Sequence, residues 1–365
     1  MDTSCCEKCS ADLSFTRGKR FLGELICEDC LEEETHYCCE CGDRRYTEDT
    51  RIAGENYVCE SCYDDYYDEC CRCGCAVRTE DSEQEDDGYY CDRCYDIAYN
   101  GPLRINTYRP RPKFYGDGFF YGIELEVDKG GESLNNASAL LEIANADTEH
   151  IYVKRDGSLN NGFEVVSHPM SLTYHCKEMP WVKVLDRLWC LGYSSQDTTT
   201  CGYHIHADRK SFGETIEEQE NHIANILYFV DTHWEQIIQF SRRDIASIER
   251  WAARYVNVDG HQKALEYVKK GNEKRYVCVN LQNQATIEFR IFKGTLRYGA
   301  FLASLQFVDE LCTRVSRMEA SLLSKYTWED FVCDIDPVRK SELIWYLRSM
   351  KLLTGASCAQ ERGAV

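Results

Sequence analysis

Phe119-Phe120-Tyr121-Gly122-Ile123-Glu124-Leu125-Glu126-Val127-Asp128 alternates apolar and acidic side chains after an aromatic lead-in. A period of two is the signature of a strand. Ile123, Leu125 and Val127 go to one face, and Glu124 and Glu126 to the other, about two residue rises or roughly 7 Å apart. Two carboxylates so placed repel each other unless a cation sits beside them. Alone, the pattern reads first as a half-buried strand with a solvated acidic face. Three further stretches change that reading. Gly162-Phe163-Glu164-Val165-Val166-Ser167-His168 carries a glutamate, and Gly202-Tyr203-His204-Ile205-His206-Ala207-Asp208 carries two histidines on one face. Ala285-Thr286-Ile287-Glu288-Phe289-Arg290-Ile291-Phe292 turns Glu288 and Arg290 the same way. Four strands that each turn ionisable residues to one side imply a sheet whose polar face is a site. Taken singly, the histidines also read as a satisfied core pair, and Glu288 with Arg290 as a cross-strand charge arrangement.

The chain has 365 residues and a formal charge of −20, so two or more domains are expected. Residues 1–100 hold 27 acidic and 10 basic side chains, or −17; the remaining 35 acidic and 32 basic residues give −3. Nucleic acid is therefore disfavoured as a partner, because phosphate contacts need Lys and Arg. There is no apolar run long enough for a membrane span and no basic-then-apolar leader, so a cytoplasmic setting (the host's, for a viral chain) is expected.

Of 23 cysteines, 16 lie before residue 95. Cys6-x2-Cys9 is followed 17 residues later by Cys27-x2-Cys30. Cys38-x2-Cys41 precedes Cys59-x2-Cys62, and Cys70-x2-Cys73 precedes Cys91-x2-Cys94, by the same interval, each unit starting 32 residues after the last. Four thiolates per unit suit tetrahedral zinc, so three structural zinc ions are expected. Leu25-Ile26, Tyr57-Val58 and Tyr89-Tyr90 lead into the second knuckles and fit hairpins. The acidic runs at 31–34 and 63–66 suit helix N-termini. The array resembles treble-clef or LIM-like zinc fingers in its spacing, without the histidine ligand and tighter spacing of a LIM pair. It reads as a structural module or a docking arm for a protein partner. Cys5, Cys39, Cys71 and Cys75 are surplus to the twelve ligands.

Residues 101–116, with Gly101, Pro102, Pro110 and Pro112, read as a semi-stiff connector carrying a basic patch of Arg104, Arg109, Arg111 and Lys113. The second domain is expected over 117–353 and a frayed tail over 354–365. Within the domain the pattern gives a strand at 151–154, a turn through Asp156-Gly157-Ser158 and a hairpin signal at Asn160-Asn161-Gly162. Helices are expected over 137–146, 180–189, 216–240, 298–315 and 337–352. A second hairpin is expected from 275 through the Glu288 strand. The expected class is α+β, an antiparallel sheet packed on one face by helices.

Gly122-Ile123-Glu124-Leu125-Glu126, Asp156-Gly157-Ser158-Leu159, Gly162-Phe163-Glu164 through His168-Pro169, Cys201-Gly202-Tyr203-His204-Ile205-His206, and Thr286-Ile287-Glu288-Phe289-Arg290 with Gly294-Thr295-Leu296 occur in one order. In that order this part of the chain resembles the amidoligases, of the glutamine synthetase and glutamate–cysteine ligase superfamily. The resemblance implies a glutamine synthetase-like sheet and an ATP-dependent ligase that joins the carboxylate of an amino acid or peptide to an amine through an acyl phosphate. It implies magnesium held by Glu124, Glu126, Glu288 and His204, with Glu164 beside them and His206 on the same face. Arg290 would meet the transferring phosphoryl group, as a planar guanidinium suits phosphate. Arg275 and Lys154 are further candidates for that task, and Asp156 and Ser158 for holding nucleotide or amine. Two rivals remain at this stage. One is a zinc-finger interaction scaffold with a degenerate ligase domain. The other is a cysteine hydrolase using Cys201 or Cys176.

Overall fold

The computed structural model describes residues 5–13, 18–85, 88–254, 260–270 and 275–353. The expected tail at 354–365 lies outside them. The chain divides into two compact units, 1–100 and 101–365. No helix among the described residues is long and apolar enough to cross a membrane.

In the first unit each repeat is a knuckle, a hairpin and a short helix. The hairpins pair Lys19–Phe21 with Glu24–Ile26, Thr50–Ala53 with Asn56–Cys59, and Glu83–Glu85 with Gly88–Tyr90. The helices Glu28–Glu33, Glu60–Tyr66 and Asp92–Tyr95 start directly after Cys27, Cys59 and Cys91. The first is capped by a thiol, since Cys27 Sγ accepts from the Cys30 N–H. That start displaces the acidic runs from where the sequence suggested. Glu28, Asp29 and Glu60 occupy the first turns, while 31–34 and 63–66 fall toward the C-terminal ends. The buried cluster of the first repeat is Cys6, Leu13, Ile26, Cys27, Cys30 and Leu31. Half of it is thiol, so the repeat buries little apolar surface of its own.

The second unit is built on one sheet. Its strands are β1 (Leu103–Arg104), β2 (Phe120–Val127), β3 (Ile151–Lys154), β4 (Phe163–Ser167), β5 (Met170–Ser171), β6 (Gly202–Asp208), β7 (Val279–Asn280) and β8 (Thr286–Lys293). Their order is β1-β3-β4-β2-β6-β8-β7, with β5 also on β2. Every pairing is antiparallel except β1 with β3. One face is apolar. Ile123, Leu125, Val127, Val165, Tyr203, Ile205 and Ile287 are fully buried in it.

Helices complete that core: α1 (Leu134–Ala144), α2 (Trp181–Cys190), α3 (Ile216–Thr232), α4 (Trp234–Ser241), α6 (His261–Lys270), α7 (Tyr298–Thr313) and α8 (Ser341–Ser349) all add side chains to it, whereas α5 (Ile245–Trp251) adds none. α7 is buried along most of its length, as a central core helix must be. Its Phe301 stacks on Tyr203 at 4.7 Å, and its Phe307 on Phe240 at 4.5 Å. The α+β class, with helices on one face of an antiparallel sheet, is the architecture observed.

Two local expectations fail in the second unit. The helix expected over 216–240 breaks at His233, which ends α3 and opens α4. A tertiary contact stands at the break: His233 Nε2 meets the Tyr326 carbonyl at 3.2 Å, while the ring stays over Phe229, one turn back on α3, at 4.5 Å. The stretch 101–116 is not a free connector, and the second unit starts at Gly101 rather than at 117. Leu103 is fully buried, β1 pairs with β3, and Ser171 N–H donates to the Tyr115 carbonyl at 2.9 Å. The prolines exclude only their own positions from pairing; Leu103–Arg104 joins the sheet as a strand and Tyr115 by a bridge to Met170.

Candidate active site

Register decides which polar residues meet. Lys154 stands opposite Glu164, and Glu164 opposite Glu126. In the next row Val166, Glu124 and His204 are aligned. In the third, Gly122, His206, Glu288 and Asn280 are aligned. Between β6 and β8 the pairing jumps from Ile205/Phe289 to Tyr203/Phe292. Two β8 residues, Arg290 and Ile291, thus oppose the single residue His204, which is a β-bulge. The bulge lets Phe292 turn into the core against Tyr203 while Glu288 and Arg290 stay on the polar face.

The side chains converge on His204, which is only 4% exposed. Its Nδ1 lies 3.5 Å from Glu124 Oε2 and 3.5 Å from Glu288 Oε1; its Nε2 lies 3.9 Å from Glu126 Oε1. His206 Nε2 is 3.4 Å from Glu124 Oε1, and its Nδ1 meets Thr286 Oγ1 at 3.1 Å. His204 Nδ1 and His206 Nε2 are buried with no hydrogen-bond partner among the described residues. Ligand atoms of Glu124, His206 and Glu288, and again of Glu124, Glu164 and His204, lie within 4.8 Å of one another. Carboxylate oxygens and imidazole nitrogens that crowd together without bonding one another fit a divalent cation between them.

The remaining partners hold these groups in place. Asn280 Nδ2 donates to Glu288 Oε2 at 2.9 Å, and Arg290 Nη1 pairs with Glu288 Oε1. Lys154 Nζ pairs with Glu164 at 3.0 Å. The Gly202 N–H donates to Glu126 Oε2 at 2.5 Å. Burial opposes the charge on Glu124, but His206 and His204 outweigh it and hold the carboxyl well below its usual range. Glu288 is likewise lowered against burial, by His206, His204 and Arg290. Burial pushes Glu126 up against the pull of His204. Burial and the Glu124 charge push Glu164 well above the usual range, with Lys154 opposing.

Most of these groups line one cavity of about 400 Å³. Glu124, Glu126, Glu164, His204, Arg290, Lys154, Asp156, Ser158 and Arg275 all line it; Glu288 and His206 do not, but contact its lining through His204 and Glu124 respectively. Sequence reasoning missed Arg109, Arg155, Arg243, Trp251 and Tyr276 on the same wall. The basic patch around Arg109 was visible, but its direction was not. Arg243 is buried near Glu126, and burial lowers it to about 10. The rival thiols are poorly placed for nucleophilic work. Burial pushes Cys201 up to about 12 and Cys176 to about 11, leaving little thiolate.

In the first unit the thiols gather as the spacing implied. Cys6, Cys9, Cys27 and Cys30 form one cluster, Cys38, Cys41, Cys59 and Cys62 a second, and Cys70, Cys73, Cys91 and Cys94 a third. Backbone N–H groups point at the sulfurs, such as Cys27 N to Cys6 Sγ at 3.3 Å. The Cys9 N–H leads in bringing Cys6 down to about 6. Burial opposes the same effect at Cys38 and Cys70, yet backbone donors bring both to about 6. Four thiols, one ready to ionise, fit structural zinc.

A family model described as "Putative amidoligase enzyme" matches residues 124–312. Among solved structures the chain is similar to a bifunctional glutathione synthetase from Pasteurella multocida, at 11% identity and a TM-score of 0.34. That match covers 66% of this chain and 45% of the other, so the chain spans less than half of that relative's length. No curated protein matches.

Proposed function

The chain belongs to the amidoligase family, and on that premise we propose that its second unit joins a carboxylate of an amino acid or peptide to an amine, with ATP activating the carboxylate as an acyl phosphate. The observation that carries the reading is the meeting of Glu124, Glu126, Glu164 and His204 in a cavity also lined by Lys154, Arg243, Arg275 and Arg290, with Glu288 in contact with His204. Acidic and basic side chains lining one cavity suit a metal-bound polyphosphate.

Glu124, Glu126, Glu288 and His204 would hold magnesium, with Glu164 and His206 adjoining. When bound, the ion neutralises phosphate oxygens and acts as a Lewis acid. Arg290, Lys154 and Arg275 would meet the phosphates, and Asp156 and Ser158 the nucleotide or the amine. The substrate carboxylate oxygen attacks the γ-phosphorus as the bond to ADP breaks. The amine then attacks the acyl carbon, inorganic phosphate leaves, and the amine's proton passes to a base. Arg290 and Arg243 each keep a buried Nε without a hydrogen-bond partner among the described residues, so both have donor capacity to spare for phosphate oxygens.

The first unit would carry three structural zinc ions and offer a surface to a protein partner. The scaffold alternative draws on the pairing of Lys154 with Glu164 and Arg290 with Glu288, which a site kept only for binding would also retain. A screen for ADP and phosphate release with the full chain, magnesium, ATP and a library of amino acids and peptides separates the two. Acceptor-dependent ADP release supports the ligase. ATP binding without release for any acceptor leaves the scaffold.

A further inference from the structure

The three knuckles of the first unit share one backbone geometry. In each, the first cysteine's N–H donates 2.8 Å to a carbonyl five residues on: Cys6 to Ala11, Cys38 to Asp43, Cys70 to Cys75. The third knuckle therefore places a thiol where the first has a methyl group and the second a carboxylate. Cys75 Sγ lies 3.2 Å from Cys73 Sγ, itself a member of the third cluster. Both residues are exposed. Gly74 between them sits at φ +69°, a left-handed conformation that glycine adopts without strain. Cys91, opposite, is half-exposed, whereas its counterparts Cys27 and Cys59 are buried. The third cluster is thus the most open and has a fifth thiol in contact with an exposed ligand. Cys9 and Cys41, the equivalent exposed ligands, have no thiol at that position.

From this juxtaposition we infer that the third cluster is a redox-labile zinc site, in which a peroxide-class oxidant converts Cys73 and Cys75 to a disulfide and releases one zinc ion of the three. The inference rests on reading the clusters as zinc sites. The Cys73 sulfur attacks a peroxide oxygen, the O–O bond breaks, hydroxide leaves and is protonated to water, and Cys73 becomes a sulfenic acid. The Cys75 sulfur then attacks the Cys73 sulfur, the S–O bond breaks, and a second water leaves with the Cys75 proton. Two thiols lose two electrons and peroxide becomes two waters. The cluster keeps three thiols, and the zinc departs.

The test uses the full chain with its native zinc, hydrogen peroxide and a chromophoric zinc chelator. About one zinc in three should leave in an early phase, at least about tenfold faster than the rest, a modest gain for a second thiol held in contact. Peptide mapping of the early product should find Cys73 joined to Cys75. Cys75→Ala places in the third knuckle the residue that Ala11 supplies in the first, so folding should be kept; the early phase should vanish while the zinc content stays at three. Cys39→Ala, whose thiol lies 3.9 Å from the Tyr67 hydroxyl, should leave the early phase unchanged. An early phase that persists in Cys75→Ala overturns the inference, as does equal release from all three sites. Loss of zinc from untreated Cys75→Ala would make Cys75 a ligand and also overturn it. Fewer than three zinc ions in the untreated chain would instead sink the zinc reading itself.

Discussion

Glu124 and His204 face each other on neighbouring strands, with Glu124 Oε2 3.5 Å from His204 Nδ1, and that nitrogen has no hydrogen-bond partner among the described residues. A buried imidazole nitrogen left bare beside a carboxylate is costly unless something joins the two. A shared divalent cation would do so.

Glu124→Gln and His204→Asn should each weaken magnesium binding, measured by calorimetry. Each should lower acceptor-dependent ADP release by roughly a hundredfold to thousandfold, the usual cost of one well-placed charged contact. Both side chains border a cavity, so the melting temperature should move little. Undiminished metal binding in both variants would remove these residues from the ligand set.

Arg290→Lys should lose most of its turnover, because a point charge cannot replace a planar fork that already pairs with Glu288. Gly202→Ala tests the same corner by crowding it. A methyl group there would sit 2.6 Å from His204 Nε2 and 2.8 Å from Arg243 Nη2. Both side chains must shift, so turnover should fall sharply while stability drops by about 1–3 kcal/mol. Crystal structures of the two variants would show whether His204 has moved.

His175 should make the second unit acid-sensitive. It is fully buried, its Nε2 meets the Tyr121 carbonyl at 3.0 Å, and Trp181 Nε1 donates to its Nδ1 at 3.2 Å. Burial lowers it from 6.5 to about 4, so the ring is neutral in the folded protein. Between those values the unfolded chain binds the proton more readily, and stability falls as pH falls. The loss from pH 6.5 to 4 should approach about 3 kcal/mol. Urea unfolding of wild type and His175→Gln at several pH values should show their difference shrinking on acidification. A constant difference would assign the acid sensitivity elsewhere.

Chelation should unfold the first unit and spare the second. The small clusters of the first unit are rich in thiol, whereas the second has a large apolar core. With a strong zinc chelator, amide exchange should rise in all three repeats while β2, β6 and β8 stay protected. Protection of the first unit after full zinc removal would contradict metal-dependent folding.

Much of this molecule could be read locally. Alternation in Ile123-Glu124-Leu125-Glu126 separates core from polar face, because a strand turns successive side chains to opposite sides. The 17-residue spacing groups four thiols per repeat, because the intervening hairpin is itself local. Other features had no local signal. His204 meets Glu124 and Glu288 only through register across three strands, and the bulge at Arg290 is set by how Phe292 packs against Tyr203. Arg109, Arg243, Trp251 and Tyr276 reach the cavity from loops and helix ends far apart in the chain. At the break, His233 meets the Tyr326 carbonyl, 93 residues away in the chain, a contact that no helical period encodes. Side-chain periodicity and ligand spacing are short-range properties of the chain, and the sequence by itself determined them. Which rows align, which loops close over them and where a helix stops depend on long-range packing, and only the tertiary structure decided these.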